Sequence, residues 1–594
     1  MPPRVQLAGA LLAIAVAATP IAAQQRLDIL IRNGTVVDGT GSPARRADVG
    51  IAGDRIVFIG DARTAHVTAT RTIGARGLVV APGFIDPHTH TQGDLSDSHR
   101  RSNVNYLMQG VTTVITNNDG GGTLDIGRTL DAWQREGIGT NAALYVPQGD
   151  VRRRVLGMSA AAPTPAQMDS MRAIVARGMS EGALGLSTGL YYAPGSYSTT
   201  EEVIELAKVA AKDGGIYDSH MRDESSYTIG LIGSVNETLR IAREAHIPVH
   251  ISHVKALGAD VWGQSDSVIA LVRAAQREGL TVTADQYPYS ASGTSVSAAL
   301  LPRWAEEGGS DSLRARIADP AIRRRLVSDM ERNLTRRGGA ASLLMTSSRD
   351  SSIVGKTLAE ISMVRKESPI DAALQIITNG GSSVASFNMK DADIEKFLVQ
   401  PWVMTGSDGS TGHPRKYGTF PRVFREYVQR RTLLTLPQAV HRSSQLAAET
   451  LGLRGRGVLK VGAFADVVAF DPNTFADKAT YVHPEELATG MRYVLVNGTI
   501  AVDGGRYSGA LAGRALRHAA PGSTTSDHAS HVEIRRTTHG VPNIKADNFA
   551  AAAFALAYVQ SEDYGARVVF DLIRARDLRS HSPGFARMGH RGAQ

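Results

Sequence analysis

Two histidines separated by a single residue occur in the segment PGFIDPHTH, which spans residues 82–90. On a β-strand, residues i and i+2 point to the same face, so His88 and His90 would project side by side. Two neutral imidazoles on one face can supply two ligands of a metal site. A pair of surface histidines at a strand end explains the same spacing equally well. Residues elsewhere in the chain decide between the two interpretations.

Most of the chain alternates short apolar segments with helical segments, which is typical of βα units around a parallel sheet or barrel. Eight such repeats predict a TIM (β/α)8 barrel, an α/β fold that builds its active site at the carboxyl ends of the strands. The predicted strands end near His90, Asn117, Val146, Ser187, His220, His253, Tyr287 and Asp408. The residues at this face that favour a metal centre are His88, His90, His220, His253 and Asp408.

Two turn-rich segments with short alternating strands flank the barrel, at residues 24–80 and 446–517. Because isolated hairpins are only marginally stable, we expect both segments to form one small β-sandwich domain beside a barrel at residues 81–445. Residues at about 295–400 carry charged helical sequence and predict an inserted lid subdomain over the barrel mouth. An ordinary surface insertion without a role in substrate access is the alternative.

The amino-acid composition excludes several classes of catalytic and metal-binding site. The 594-residue chain contains no cysteine, which excludes disulfides, thiol catalysis and cysteine-based zinc sites. The net charge of +8 is spread over isolated arginine clusters, so we expect no nucleic-acid partner. Residues 1–23 combine Arg4, a short apolar stretch and the pair Ala22-Ala23, which predicts a secretory signal peptide. We expect an exported protein, periplasmic or secreted, without a stable membrane span; an uncleaved anchor is the alternative.

Several motifs taken together resemble one family. The segments PGFIDPHTH and TGSDGS are similar to those of the amidohydrolase superfamily, and YDSHMRDE, ISHVK and HPRKYGTFPRV point to its D-aminoacylase branch, the N-acyl-D-amino-acid deacylases. The resemblance covers about residues 27–517. It implies a zinc site whose ligands are His220 and His253 in one part and His88, His90 and Asp408 in the other.

The chain departs from the pattern of this branch at one position. The branch carries a cysteine ligand in a GNCG segment after the second strand, and the matching segment here is NNDG, with Asp119 at the cysteine position. Because zinc accepts carboxylate oxygen, Asp119 could bind or bridge the metal; a turn residue before three glycines is the alternative. One or two zinc ions are implied, and an oxygen ligand would favour tolerance of manganese or cobalt.

The resemblance implies hydrolysis of the amide bond of N-acyl-D-amino acids, small-molecule substrates with a free carboxylate, to a free amino acid and a carboxylate. A bound metal lowers the pKa of its water to about 7, and Asp408 would take that proton and pass it to the leaving nitrogen. Tyr287 is the candidate for stabilising the oxyanion. Lys255 and Arg415 resemble the residues that bind the substrate carboxylate, with Tyr192 beside them.

Other functions remain open on the sequence alone. The same metal core would serve a related amide hydrolase, a D-dipeptide hydrolase or a cyclic-amide hydrolase. A free carboxylate as the recognised group favours linear substrates over cyclic imides. A metal-poor, non-catalytic relative is the third alternative, because the family cysteine is replaced. The sequence makes no prediction about the oligomeric state.

The C-terminal segment differs in character from the rest of the chain. Residues 518–594 read as a linker followed by sequence that resembles the beginning of the α chain of penicillin-acylase-type enzymes. Those enzymes depend on an N-terminal nucleophile that lies later in their chain. We therefore expect a truncated remnant without chemistry of its own; a partner-binding tail is the alternative.

Overall fold

The computed structural model describes residues 27–518, 532–536, 542–546, 555–556 and 558–559, so the predicted signal peptide lies outside the described residues. The strands are β1 (Leu27–Val36), β2 (Arg45–Ala52), β3 (Arg55–Gly60), β4 (Ala69–Gly74), β5 (Val79–Pro82), β6 (Phe84–Asp86), β7 (Val111–Thr116), β8 (Asn141–Leu144), β9 (Val146–Pro147), β10 (Gly185–Gly189), β11 (Ile216–His220), β12 (Val249–Ile251), β13 (Val282–Gln286), β14 (Ala291–Ser295), β15 (Leu343–Ser348), β16 (Ser382–Phe387), β17 (Val403–Thr405), β18 (Val467–Phe470), β19 (Met491–Val496), β20 (Thr499–Asp503), β21 (Arg506–Tyr507), β22 (Val532–Arg536) and β23 (Pro542–Ala546). The α-helices are α1 (Gln92–Leu95), α2 (Val104–Leu107), α3 (Ile126–Glu136), α4 (Gln148–Leu156), α5 (Pro165–Ser180), α6 (Thr200–Lys212), α7 (Gly230–Ala245), α8 (Ser265–Arg277), α9 (Val296–Leu300), α10 (Gly309–Ala318), α11 (Pro320–Arg336), α12 (Leu358–Arg365), α13 (Pro369–Thr378), α14 (Asp391–Leu398), α15 (Arg415–Val423), α16 (Leu436–Ser443) and α17 (Gln445–Thr450). Within the described part of the chain, no helix is both long and apolar enough to cross a bilayer.

The central strands form a parallel barrel. One group has the order β6-β7-β8 and the other the order β17-β13-β12-β11-β10-β9. Strand β9 continues β8 after one residue, and Thr89 bridges to Gly409, so the two groups close on each other. The strands are almost entirely buried, as expected for a parallel sheet that is covered by helices. The predicted TIM barrel is confirmed.

The first barrel strand ends earlier than the sequence predicts. Strand β6 stops at Asp86, and Pro87, which has no N–H to donate to a ladder, follows it. His88 and His90 therefore lie just beyond the strand, held by the bridge at Thr89. They still project at the carboxyl end of the barrel, where the side chains of the site are expected.

The segments that precede and follow the barrel in the sequence combine in one small β domain. Its nine-stranded sheet has the order β21-β20-β19-β18-β5-β1-β2-β3, with β4 beside β1. The N- and C-terminal segments meet where β5 pairs antiparallel with β18, with Val80 opposite Ala469. Mainly isoleucine and valine side chains of the first segment and leucine, alanine and valine side chains of the second form its core. The expected pairing of distant segments is present, and the exact domain boundaries stay a prediction.

The insertion between the last two barrel strands is a folded unit with its own core. Strands β14, β15 and β16 form an antiparallel sheet that packs with α9 and α11–α13 around a cluster that includes Met330 and Val384. The charged helical sequence of the insertion includes two helices, α10 and α11. The break lies at Asp319, whose carboxylate accepts backbone N–H groups of the next turn, and Pro320 begins α11.

Candidate metal centre and substrate pocket

The six predicted metal ligands converge at the carboxyl end of the barrel. His88 and His90 follow β6, Asp119 follows β7, His220 ends β11, His253 follows β12 and Asp408 follows β17. Their ligand atoms form two groups, and within each group the atoms lie within 4.8 Å of one another. The first group contains His88, His90, Asp119 and Asp408, and the second contains Asp119, His220 and His253.

Asp119 is the residue that the two groups share. Its Oδ1 lies 3.3 Å from both His220 Nδ1 and His253 Nε2, and 3.4 Å from His88 Nε2. Its Oδ2 lies 3.5 Å from His90 Nε2. A single carboxylate thus faces all four imidazoles, which is the arrangement a bridging ligand requires.

Three residues of the cluster adopt left-handed backbone conformations. The φ angles of Asp119, His253 and Asp408 are 58°, 35° and 48°. Such conformations are uncommon for residues other than glycine, and they concentrate at sites where the surrounding structure imposes them. The chain turns sharply after three different barrel strands, and each turn directs a polar side chain toward the same centre.

Asp408 joins the metal-ligand cluster to a buried arginine. Its Oδ1 lies 3.0 Å from His90 Nε2, and its Oδ2 lies 2.7 Å from Arg415 Nη1. Burial acts to raise the pKa of Asp408, but the positive charges of Arg415 and His253 hold this pKa well below its usual range. The carboxylate is therefore ionised, as both a metal ligand and a proton acceptor must be.

The donor set fits one or two divalent metal ions. His88 Nδ1 and Nε2 and Asp119 Oδ1 are buried polar atoms without a hydrogen-bond partner among the described residues. Burial disfavours a charged His88, yet the Asp119 carboxylate raises the pKa of His88 to about 9, so the centre stabilises positive charge. Imidazole and carboxylate donors suit zinc, with manganese and cobalt as alternatives.

Glu224 is a site residue that the sequence analysis did not single out. Its carboxylate accepts hydrogen bonds from Lys255 Nζ at 2.8 and 3.0 Å, and its Oε1 lies 3.1 Å from His253 Nδ1. A carboxylate on the far nitrogen of a metal-binding imidazole fixes the orientation of the ring. Glu224 lies four residues after His220 in the YDSHMRDE motif, which was the one signal that could have identified it.

Asp285 supports the histidines from inside the barrel. Its Oδ2 lies 2.8 Å from His250 Nε2 and 3.8 Å from His88 Nδ1, and all three side chains are fully buried. His250 also pairs with Thr283 through its other ring nitrogen. This network places a buried carboxylate near His88 without a hydrogen bond to it. Strand periodicity alone gave no reason to single out Asp285.

The predicted substrate-binding residues line two adjoining cavities beside the metal-ligand cluster. The outer cavity, of ≈ 380 Å³, is bordered by His90, Asp119, Tyr192 and Arg415. The inner cavity has a volume of only ≈ 20 Å³, and Lys255 and Tyr287 are among its lining residues.

The positions of these side chains relative to one another are fixed by stacking and ion pairs. The Arg415 guanidinium lies over the Tyr287 ring at 4.6 Å, and Lys255 Nζ lies 5.8 Å from the centre of the same ring. The Tyr192 hydroxyl lies 3.5 Å from Thr294 Oγ1. Two cations and two tyrosines therefore surround the space next to Asp408.

Comparison with known proteins places this site in a family. A family model for amidohydrolases matches residues 71–502. The D-aminoacylase of Alcaligenes xylosoxydans xylosoxydans is 34% identical over 523 residues, which is 84% of this chain and 99% of that protein. A family model for penicillin amidase matches residues 531–581, in agreement with the resemblance of the C-terminal segment.

Solved structures agree with this placement. A D-aminoacylase studied for the role of its binuclear metal centre has a TM-score of 0.72 and 32% identity, over 83% of this chain and all of that one. The N-acyl-D-glutamate deacylase of Bordetella bronchiseptica, solved with zinc and a phosphonate mimic of the tetrahedral intermediate, has a TM-score of 0.71 and 31% identity over the same shares. The chain belongs to the amidohydrolase family, in its D-aminoacylase branch.

Proposed function

We propose that the protein is an exported, zinc-dependent deacylase that hydrolyses the amide bond of N-acyl-D-amino acids to a free amino acid and a carboxylate. The observation that carries the proposal is the Asp119 carboxylate facing all four imidazoles beside the ion pair of Asp408 and Arg415. The D-aminoacylase and N-acyl-D-glutamate deacylase relatives support the substrate class.

The ligand residues would hold the metal in two parts of one centre. His220, His253 and Asp119 form one part, and His88, His90, Asp408 and the shared Asp119 form the other. A bound zinc ion supplies acidified water at neutral pH and a Lewis acid for the scissile carbonyl. One ion or two would suit this donor set, because Asp119 offers an oxygen to each part.

Asp408 is placed for the proton transfers. One of its oxygens lies at the imidazole cluster, and the other is held by Arg415, so the carboxylate has a fixed orientation. It accepts a proton from the attacking water and delivers it to the amide nitrogen, which must be protonated to leave. Tyr287 and Asp408 both line the inner cavity. The Tyr287 hydroxyl donates a hydrogen bond to the developing oxyanion.

The substrate is held through its free carboxylate. Arg415 and Lys255 are buried cations beside the cluster, and a planar guanidinium binds a carboxylate with two parallel hydrogen bonds. Tyr192 borders both cavities and completes this subsite. Recognition of an α-carboxylate next to the scissile amide favours linear acyl-amino acids over cyclic amides.

Metal-dependent release of amino acid tests the activity. The purified full chain is stripped with a chelator, reloaded with one or two equivalents of zinc, and offered N-acetyl derivatives of D- and L-amino acids, D-dipeptides and hydantoins. We expect release of D-amino acids only after reloading, and an Asp408→Asn variant that binds zinc without turnover. Inertness of the reloaded protein toward all N-acyl-D-amino acids refutes the proposal.

Export is a separate part of the proposal, supported by the n-region, apolar stretch and small residues within residues 1–23. Expression of the full chain in a Gram-negative host, followed by fractionation and N-terminal sequencing, tests it. We expect periplasmic or secreted protein that begins near residue 24. Recovery of the intact N-terminus in the cytoplasm would contradict export and leave the enzymatic proposal untouched.

A further inference from the structure

The inner cavity contains a buried arginine that the proposed reaction does not use. Arg337 follows helix α11 of the insertion, is 2% exposed, and lines the same cavity as His220, Lys255 and Asp408. It thus brings a permanent positive charge from the insertion into the wall of the substrate pocket.

Arg337 lacks an acidic partner. Its Nε donates to the Tyr227 hydroxyl at 2.8 Å and its Nη2 to the Tyr191 hydroxyl at 3.0 Å, whereas the buried Nη1 has no hydrogen-bond partner among the described residues. No carboxylate of the described part of the chain forms an ion pair with it. The two tyrosines orient the guanidinium without neutralising it.

The neighbouring cations Lys255, in the inner cavity, and Arg415, in the outer cavity, are neutralised within the protein. Lys255 Nζ lies 2.8 Å from Glu224, and Arg415 Nη1 lies 2.7 Å from Asp408. A buried charge without a counter-charge carries a large free-energy cost. An anionic group of the substrate that neutralises this charge would explain why a buried arginine is retained in the substrate pocket despite this cost.

We propose that Arg337 binds a second carboxylate of the substrate, in addition to the α-carboxylate, and determines specificity for dianionic N-acyl-D-amino acids. The inference rests on the proposed deacylase function. Nη1 is the donor left for this carboxylate, since Nε and Nη2 already donate to the two tyrosines and Arg337 lines the inner cavity. The second carboxylate can belong to an acidic side chain or to a dicarboxylic acyl group, and both sources share this chemistry.

Matched substrates distinguish the two sources. N-acetyl-D-glutamate is compared with N-acetyl-D-glutamine, and N-succinyl-D-leucine is compared with N-butyryl-D-leucine, by kcat/KM of the zinc-loaded full chain. Since a hydrogen bond to a buried charged group is strong, we expect the dianionic member of one pair to be favoured by at least about 30-fold. The pair that shows the preference identifies the source of the second carboxylate.

Variants assign the preference to Arg337. In Arg337→Met we expect the preference for the dianionic substrate to disappear, while kcat/KM for the neutral substrate changes less than about threefold. Arg337→Lys should keep part of the preference, because lysine keeps the positive charge but lacks the planar guanidinium. Arg336→Met is the matched control, because Arg336 borders a different cavity and contacts Ser226 and Asn333. It should keep the full preference. Thermal melting and zinc content verify that the variants fold.

A measurement on the unaltered protein keeps the test independent of folding. If the glutamate pair carries the preference, free D-glutamate should inhibit at least about tenfold more tightly than free D-glutamine; if the succinyl pair carries it, succinate should inhibit more tightly than butyrate. Equal turnover of both members of each pair overturns the role of Arg337 while the deacylase function stands. Absence of turnover of every N-acyl-D-amino acid overturns the deacylase function itself.

Discussion

Asp119 joins the two parts of the metal site, and its removal should affect both. In Asp119→Ala the imidazoles lose the one carboxylate that faces all four, so we expect less than one zinc per chain and kcat reduced more than about a hundredfold. Metal analysis and steady-state kinetics of the zinc-reloaded variant check this.

Asp125→Ala is a suitable control for the Asp119 variant. Asp125 lies in the same loop and is exposed, and its side chain makes no capping hydrogen bond to α3. Normal zinc content and activity are expected. Full zinc content in Asp119→Ala would mean that Asp119 is not a ligand and that the histidines with Asp408 suffice.

Glu224 is expected to act as a positioning residue. In Glu224→Gln the Lys255 ammonium stays buried without its counter-charge, and the His253 ring loses the carboxylate beside Nδ1. We expect zinc affinity to decrease by about 10- to 100-fold, as for other residues that orient a metal ligand. Competition with a chromophoric chelator measures this, and partial recovery of activity at high zinc distinguishes positioning from direct chemistry. A variant with unchanged zinc affinity would contradict the role.

The residues that could be predicted from the sequence are those whose position along a strand determines their direction. His220 and His253 occur at or just after strand ends, so the barrel geometry alone places them at the site face. Glu224, Asp285 and Arg337 could not be selected in this way, because each depends on a partner that only the tertiary structure brings near.

The insertion between the last two barrel strands contributes to the pocket wall. Strand β14 supplies Gly293 and Thr294, which border both cavities, so the insertion is more than an appendage of the surface. The sequence predicted its presence from a long charged interval between strands. It could not predict the antiparallel sheet, because the segments that pair, such as β14 and β16, are distant in the chain.

Gly293 leaves the space that the Arg415 guanidinium occupies. A Cβ at this position would lie 2.8 Å from Arg415 Nη2 and 3.1 Å from its Cζ, so Gly293→Ala must displace the guanidinium from Tyr287 and Asp408. Because Arg415 binds the substrate carboxylate in the proposed function, we expect KM to rise about tenfold with a smaller change in kcat. Steady-state kinetics test this.

Gly74→Ala is the matched control for Gly293→Ala, since Gly74 is also a strand glycine and a Cβ there meets nothing within 4 Å. Its KM should equal that of the unaltered protein. An unchanged KM in Gly293→Ala would show that Arg415 does not hold the substrate carboxylate in its observed position.

The segment that precedes the penicillin-amidase-like region packs against the barrel. Residues 510–518 return to the barrel and run beside β8: the Ala142 N–H donates to the Arg514 carbonyl, and the Leu516 N–H donates to the Ala142 carbonyl. Arg517 Nη2 lies 2.8 Å from Asp131. This segment therefore ties the end of the β domain to the outside of the barrel.

Two truncations separate the role of this segment from that of the tail. A chain ending at residue 518 retains every contact described for the site and the closing segment, so we expect unchanged kcat/KM and thermal midpoint. A chain ending at residue 509 exposes the Asn141 and Ala142 groups that Arg514 and Leu516 satisfy, and its thermal midpoint should decrease by several degrees. Circular dichroism melting and deacylase assays measure both. Loss of activity in the chain that ends at 518 would instead assign a function to residues 519–594, in contrast to the interpretation of that region as a remnant without chemistry of its own.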